Sequence, residues 1–184
     1  CDPLTTFEIG LSNVFHVQFG TVALVFEGIM FFVFLFVRKD LVHLGTLAWC
    51  FLIGPFENLW LGILDPILPV ASEMSVGLKI VCILLGSAII IVTLAYYIPI
   101  GLGYQTSDIF AFIAADIVKK SYGIGLIISY AILFVIGVAL GSSWGIGTLI
   151  AVVAYGPIID RLMVIFEPFS FAVAGMTKED KKGK

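Results

Sequence analysis

Five stretches of this sequence are too apolar to face water, and each is about as long as a bilayer is thick. They are residues 19–37, 41–64, 76–100, 122–140 and 145–166. A spanning helix needs about 20 largely apolar residues, about 17 at the least. Charge is too sparse to offer another solution: of 184 residues, 60% are hydrophobic and 12% are Asp, Glu, Lys or Arg. A soluble domain carries roughly 25%. An ordinary soluble enzyme and a nucleic-acid binder are thereby excluded, and the sequence predicts an all-α, polytopic transmembrane helix bundle with the lipid bilayer as its first partner.

Two further apolar segments, 4–17 and 107–118, fall short of that length. As helices they reach about 18–21 Å, against a hydrocarbon core of about 30 Å. Thr5-Thr6-Phe7-Glu8 reads as a capping box, and Ser107-Asp108 offers a similar helix start. Both are expected to enter the membrane partway and return. Backbone at that depth is tolerated only where protein or a water-filled cavity covers it, so these segments should line something.

The chain also repeats itself. Gly45-Thr46-Leu47 matches Gly147-Thr148-Leu149, and Gly54-Pro55 matches Gly156-Pro157; with a one-residue gap, Gly20 meets Gly123, Asn13 meets Asp116 and Thr5 meets Asp108. Repeat 1 is read as residues 1–64, a linker loop as 65–75, repeat 2 as 76–167 and a cytoplasmic tail as 168–184. The second copy opens with a full helix, 76–100, that the first lacks, so a first helix of repeat 1 is expected to be missing. A lipid-modified Cys1 is the alternative. Cys1, Cys50 and Cys82 suggest neither a disulfide framework nor a zinc site.

If the short segments return to the side they left, nine of the ten Lys and Arg residues share one face and Lys79 stands alone on the other. The preference of basic residues for the cytoplasm then places the C-terminus inside. The two copies must sit upside down relative to each other, an inverted repeat of the kind that builds solute sites near the midplane of transporters.

Glu27 lies inside the 19–37 block, where a carboxylate is costly unless protonated, paired or facing a cavity. It is either a proton- or cation-handling group or a neutral acid bonded to a neighbouring helix. Gly54-Pro55 and Gly156-Pro157 are expected to kink or break their helices. Glu57, Asn58 and Asp160 follow at once, so a polar cavity is expected beside each break; Arg161 could instead reach toward headgroups. Asn13 and Asp116 are repeat-matched polar positions on the short segments and complete the candidate pathway. The sequence holds no metal-ligand spacing, no phosphate loop and no Ser/His/Asp set, so neither a metal, a cofactor nor enzymatic chemistry is indicated. Gly137, Gly141 and Gly145 form a small-residue stripe open to packing within the bundle or to a homodimer seam.

A short segment entered through Asp2-Pro3-Leu4-Thr5, then Gly45-Thr46 and Gly54-Pro55, then Gly147-Thr148-Leu149 and Gly156-Pro157, resembles the YczE/YitT group of bacterial membrane proteins. The resemblance covers nearly all of residues 1–167; the missing first helix and Thr106, where a proline is expected, depart from it. It implies a bacterial plasma-membrane protein and transfers little chemistry. Together these readings point to a secondary transporter or exporter of a small solute. A membrane-embedded solute-binding subunit of a larger transporter, or an accessory or scaffold protein without transport, are the alternatives.

Overall fold

The computed structural model describes residues 2–64, 66–67 and 73–175, apart from the side chains of residues 57, 58 and 61. All regular structure among them is helical: α1 (Pro3–Phe15), α2 (Phe19–Val37), α3 (Leu44–Leu64), α4 (Val76–Tyr97, extended by a 3-10 turn Ile98–Ile100), α5 (Thr106–Val118), α6 (Tyr122–Ala139) and α7 (Ile146–Ala174). Four of these are long and apolar enough to cross a membrane: Phe19–Val37, Val76–Ile100, Tyr122–Ala139 and Ile146–Ala174. The fifth expected span is helical as α3, of which Leu44–Phe56 is a shorter apolar stretch. Only 11–44% of each span is buried inside the protein. Side chains such as Phe36, Leu84, Val135 and Val153 are largely exposed, as lipid-facing residues are.

Local chemistry sets the helix ends. Asp2, not Thr5, caps α1: its carboxylate accepts the Thr5 amide at 2.9 Å, and Pro3 occupies the first helical position, where a missing N–H is harmless. The cap therefore lies three residues before the expected one. Likewise α5 starts at Thr106 with Gln105 before it, rather than on Ser107-Asp108. Neither proline breaks its helix. α3 runs helical through Gly54-Pro55, and α7 through Gly156-Pro157 and Pro168 to Ala174, so residues 168–174 are helix rather than tail.

The short helices match one another closely. α1 and α5 each have 13 residues, start 103 positions apart, and end in a left-handed residue, His16 or Lys119. α2 and α6 start 103 positions apart, and α3 and α7 start 102 apart. The packing contacts repeat with the same spacing. Gly54 approaches the Gly20 carbonyl where α3 crosses α2, and Gly156 approaches the Gly123 carbonyl where α7 crosses α6. Close backbone approach, rather than a helix break, is what these glycines supply.

Helix α6 sits at the centre, against α5, α1 and α7, while α4 packs along α7 and α3 chiefly along α2. Leu94, Ala95, Leu126, Tyr130, Ala151, Tyr155 and Ile159 fill the core between α4, α6 and α7. Gly137 belongs to this interior: a Cβ there would lie 2.7 Å from the Thr6 carbonyl, at the α1–α6 crossing. α6 ends at Ala139, Gly141 has positive φ, and Gly145 precedes α7. The three glycines therefore do not line one helix face.

Candidate functional site

Two carboxyl groups flank the N-terminus of α5, and both are almost wholly withdrawn from the surface. Glu27, near the middle of α2, is 1% exposed. Its Oε2 accepts the Thr106 hydroxyl at 2.5 Å and the Cys50 thiol at 3.4 Å. The Trp49 indole nitrogen is buried without a well-formed hydrogen bond. Asp108, on the first turn of α5, is 0% exposed. It accepts from the hydroxyls of Tyr97 and Tyr122, the latter at 2.7 Å, and from the Gln105 amide at 3.1 Å. Three donors on one carboxyl satisfy the group that burial would otherwise penalise.

Beside this layer lies a cavity of about 350 Å³. The N-terminal turns of both short helices open onto it: Asp2, Thr5 and Glu8 from α1, Ser107 of α5 and Gln105 just before it. Glu27, Trp49, Thr93, Tyr97 and Tyr130 complete its polar and aromatic wall. Tyr130 stands 103 positions after Glu27, so the two repeats present equivalent positions to the same space. No Lys, Arg or His lies among the described lining residues. The first turns of both short helices border the cavity, and three carboxyls give it acceptor capacity.

The other candidates take different places. Asp160 accepts the Gly123 amide at 2.8 Å and so caps the start of α6 from α7. With Tyr104, Tyr122 and Glu167 it also lines a second cavity of about 390 Å³. Asn13 and Asp116 do not reach the first cavity. The Asn13 side-chain amide donates to the Gly141 carbonyl at 2.9 Å, and Asp116 pairs with Arg38 at 2.6 Å. Gly141 lies 103 positions after Arg38, so these are matched latches at the far ends of the short helices. Arg38 also pairs with Asp40 at 2.9 Å. Its hydrogen bonds hold the Asp40 carboxyl below the usual range, and the Asp40 contact raises the Arg38 guanidinium in turn. The side chains of Glu57 and Asn58 lie outside the described residues. Among those described, no cluster of His, Cys, Asp and Glu is arranged to hold a metal ion.

Sequence reasoning found Glu27 and missed Asp2, Glu8 and Asp108 as groups of the site, of which Glu8 and Asp108 are buried. A signal was available for one further member, because Tyr130 is the repeat mate of Glu27. For Asp108 the pairing with Thr5 suggested only a cap.

An all-helical bundle with four apolar spans and a carboxyl-rich interior defines a multi-pass integral membrane protein. More particularly, the chain belongs to DUF6198, a family of unknown function whose model matches residues 1–164. No curated protein matches it, and no solved structure does. The likeness to the YczE/YitT group rests on Asp2-Pro3-Leu4-Thr5 and the Gly-Thr and Gly-Pro motifs of the sequence.

Proposed function

We propose that this protein is a secondary transporter or exporter of a small solute, which binds in the carboxyl-lined cavity between α1, α2, α4 and α5. α1 and α5 are re-entrant half-helices, and α3 is the fifth span. The two repeats are inverted across a bacterial plasma membrane, with the C-terminus on the cytoplasmic side. Several observations support this reading. Thirteen residues reach about 20 Å, too short to span. The Arg38–Asp116 pair joins the ends of α2 and α5, and Asn13 joins the ends of α1 and α6, so the far end of each short helix is tied to the other repeat, as an inverted pair would allow. Lys39, Lys119 and Lys120 gather beside the first of those joints, as a cytoplasmic face requires.

The cavity itself carries the functional reading. Its volume suits a small molecule. Carboxyls on a cavity wall without a basic residue favour a solute that is cationic or donates hydrogen bonds, and Trp49, Tyr97 and Tyr130 offer ring faces to such a cation. Glu27 either neutralises the solute or carries the proton exchanged for it.

Thermal-shift screening of the purified protein against organic amines, inorganic cations and carboxylates tests this. A ligand held at 100 times its Kd raises stability by about 2.7 kcal/mol. Amines are expected to raise Tm in the intact protein and not in Glu27→Gln, and uptake of the same amine into proteoliposomes should need Glu27. A panel that shifts nothing, or shifts both proteins alike, refutes the proposal.

A further inference from the structure

One run of hydrogen-bonded side chains links residues that line the two cavities. Tyr97 lines the first cavity and donates to Asp108 Oδ2; Tyr122 lines the second and donates to Asp108 Oδ1 at 2.7 Å. The sequence Tyr97–Asp108–Tyr122 is therefore a continuous chain of exchangeable protons running from one cavity to the other. Asp108 is fully buried within it. Nothing in solute binding calls for such a chain, since Asp108 does not line the first cavity. Asp108 also reaches back to Gln105 at the start of α5, but a cap alone does not call for two tyrosine partners.

We propose that Tyr97, Asp108 and Tyr122 form a proton path between the central cavity and the second cavity beside Asp160 and Glu167. The inference rests on the transport reading only for its purpose, which is to load and unload protons during a solute cycle. The cycle starts from the carboxylate form of Asp108, which can accept from all three partners. A proton arrives when the Tyr122 O–H bond breaks, an O–H bond forms on Asp108, and the Tyr122 oxygen is refilled from a hydronium ion in the second cavity. Rotation of the carboxyl turns its O–H toward Tyr97. Tyr97 then accepts that proton while releasing its own to water in the central cavity, which restores the starting carboxylate. The remaining titratable neighbours of Asp108 are Tyr130 of α6 and Glu27 of α2. Among the described residues no Lys, Arg or His bonds to it. No fixed cation therefore traps the carboxylate.

The test is proton entry into sealed liposomes that hold the full chain and a trapped pH-sensitive dye. It is driven by a potassium gradient with valinomycin, with no solute added. The wild type should acidify the lumen faster than protein-free liposomes. Asp108→Asn should return to the protein-free rate, and Tyr122→Phe and Tyr97→Phe should each lose most of the excess. Asp108→Glu should keep part of it. Gel filtration and thermal melting of each variant establish that it is folded, and the two tyrosine variants carry the test if Asp108→Asn is not. A wild type no faster than empty liposomes, or folded variants that conduct like wild type, overturns the path. Asp108-dependent flux in a protein that binds no panel solute would retain the path and sink the transport reading; solute binding without flux would do the reverse.

Discussion

Replacing Gly156 with alanine puts a methyl carbon 2.1 Å from the Gly123 carbonyl oxygen and 2.9 Å from its carbon, both backbone atoms that cannot step aside. At its counterpart Gly54 the nearest atom, the Gly20 carbonyl oxygen, is 3.3 Å away. Gly28, in α2, has nothing within 4 Å. Alanine gains up to about 1 kcal/mol over glycine inside a helix. Against a backbone clash, overpacking costs about 3 kcal/mol, the top of its usual range. Gly156→Ala therefore loses about 2 kcal/mol net, Gly54→Ala comes out near zero, and Gly28→Ala gains. For a chain of this size about 2–4 °C of Tm accompanies each kcal/mol. Melting in detergent, followed by circular dichroism, should place Gly156→Ala about 4–8 °C below wild type. Gly54→Ala should fall close to wild type and Gly28→Ala slightly above it. A Gly156→Ala protein that melts with or above wild type would refute the close α6–α7 crossing, and with it the seat that holds Asp160 against Gly123.

Four further outcomes follow. Asp160→Ala removes the acceptor for the Gly123 amide and should cost about 1–2 kcal/mol, the usual worth of a helix cap, read as a lower Tm. Glu27→Leu strands the Thr106 hydroxyl and should lose about 1–3 kcal/mol in the same melt, whereas Glu27→Gln keeps an acceptor there and should lose less. Asp40 titrates below its unfolded value, so its pairing with Arg38 stabilises the fold above the unfolded carboxylate range. That contribution should vanish as pH falls through the lowered value; Asp40→Asn should flatten this part of the Tm–pH curve by no more than about 1 kcal/mol, because the pair is exposed. Cys50, fully buried behind Glu27, should resist maleimide in the folded protein and react after denaturation in detergent, as mass spectrometry would show.

Much of the fold was legible because hydrophobic length and the 103-residue spacing are both backbone-scale signals. They locate seven helices, make two of them short, and pair Asn13 with Asp116. Neither residue of that pair lines the first cavity, for a reason helix geometry supplies. Asn13 and Asp116 sit in the last turn of their helices, about 12–14 Å along the axis from Thr5 and Ser107 at the cavity. Gly54-Pro55 and Gly156-Pro157 misled differently, since Gly-Pro reads alike whether it breaks a helix or lets another backbone approach. Only the partner helix decides between the two. Asp108 was hidden because its burial depends on Tyr97 and Tyr122, from helices on either side of α5 in the chain, and no local pattern announces such a meeting.

Cysteine labelling from each side of the membrane tests the inverted arrangement most directly. Single substitutions Lys39→Cys, Lys120→Cys and Ser143→Cys would be placed in a background lacking the native cysteines, in intact cells and in inverted vesicles. Lys39→Cys and Lys120→Cys should react with an impermeant maleimide only from the cytoplasmic side, and Ser143→Cys only from the other. Labelling of positions 39 and 120 from opposite sides would mean that α5 crosses the bilayer, that the halves are parallel, and that the two short helices do not meet at a common cavity.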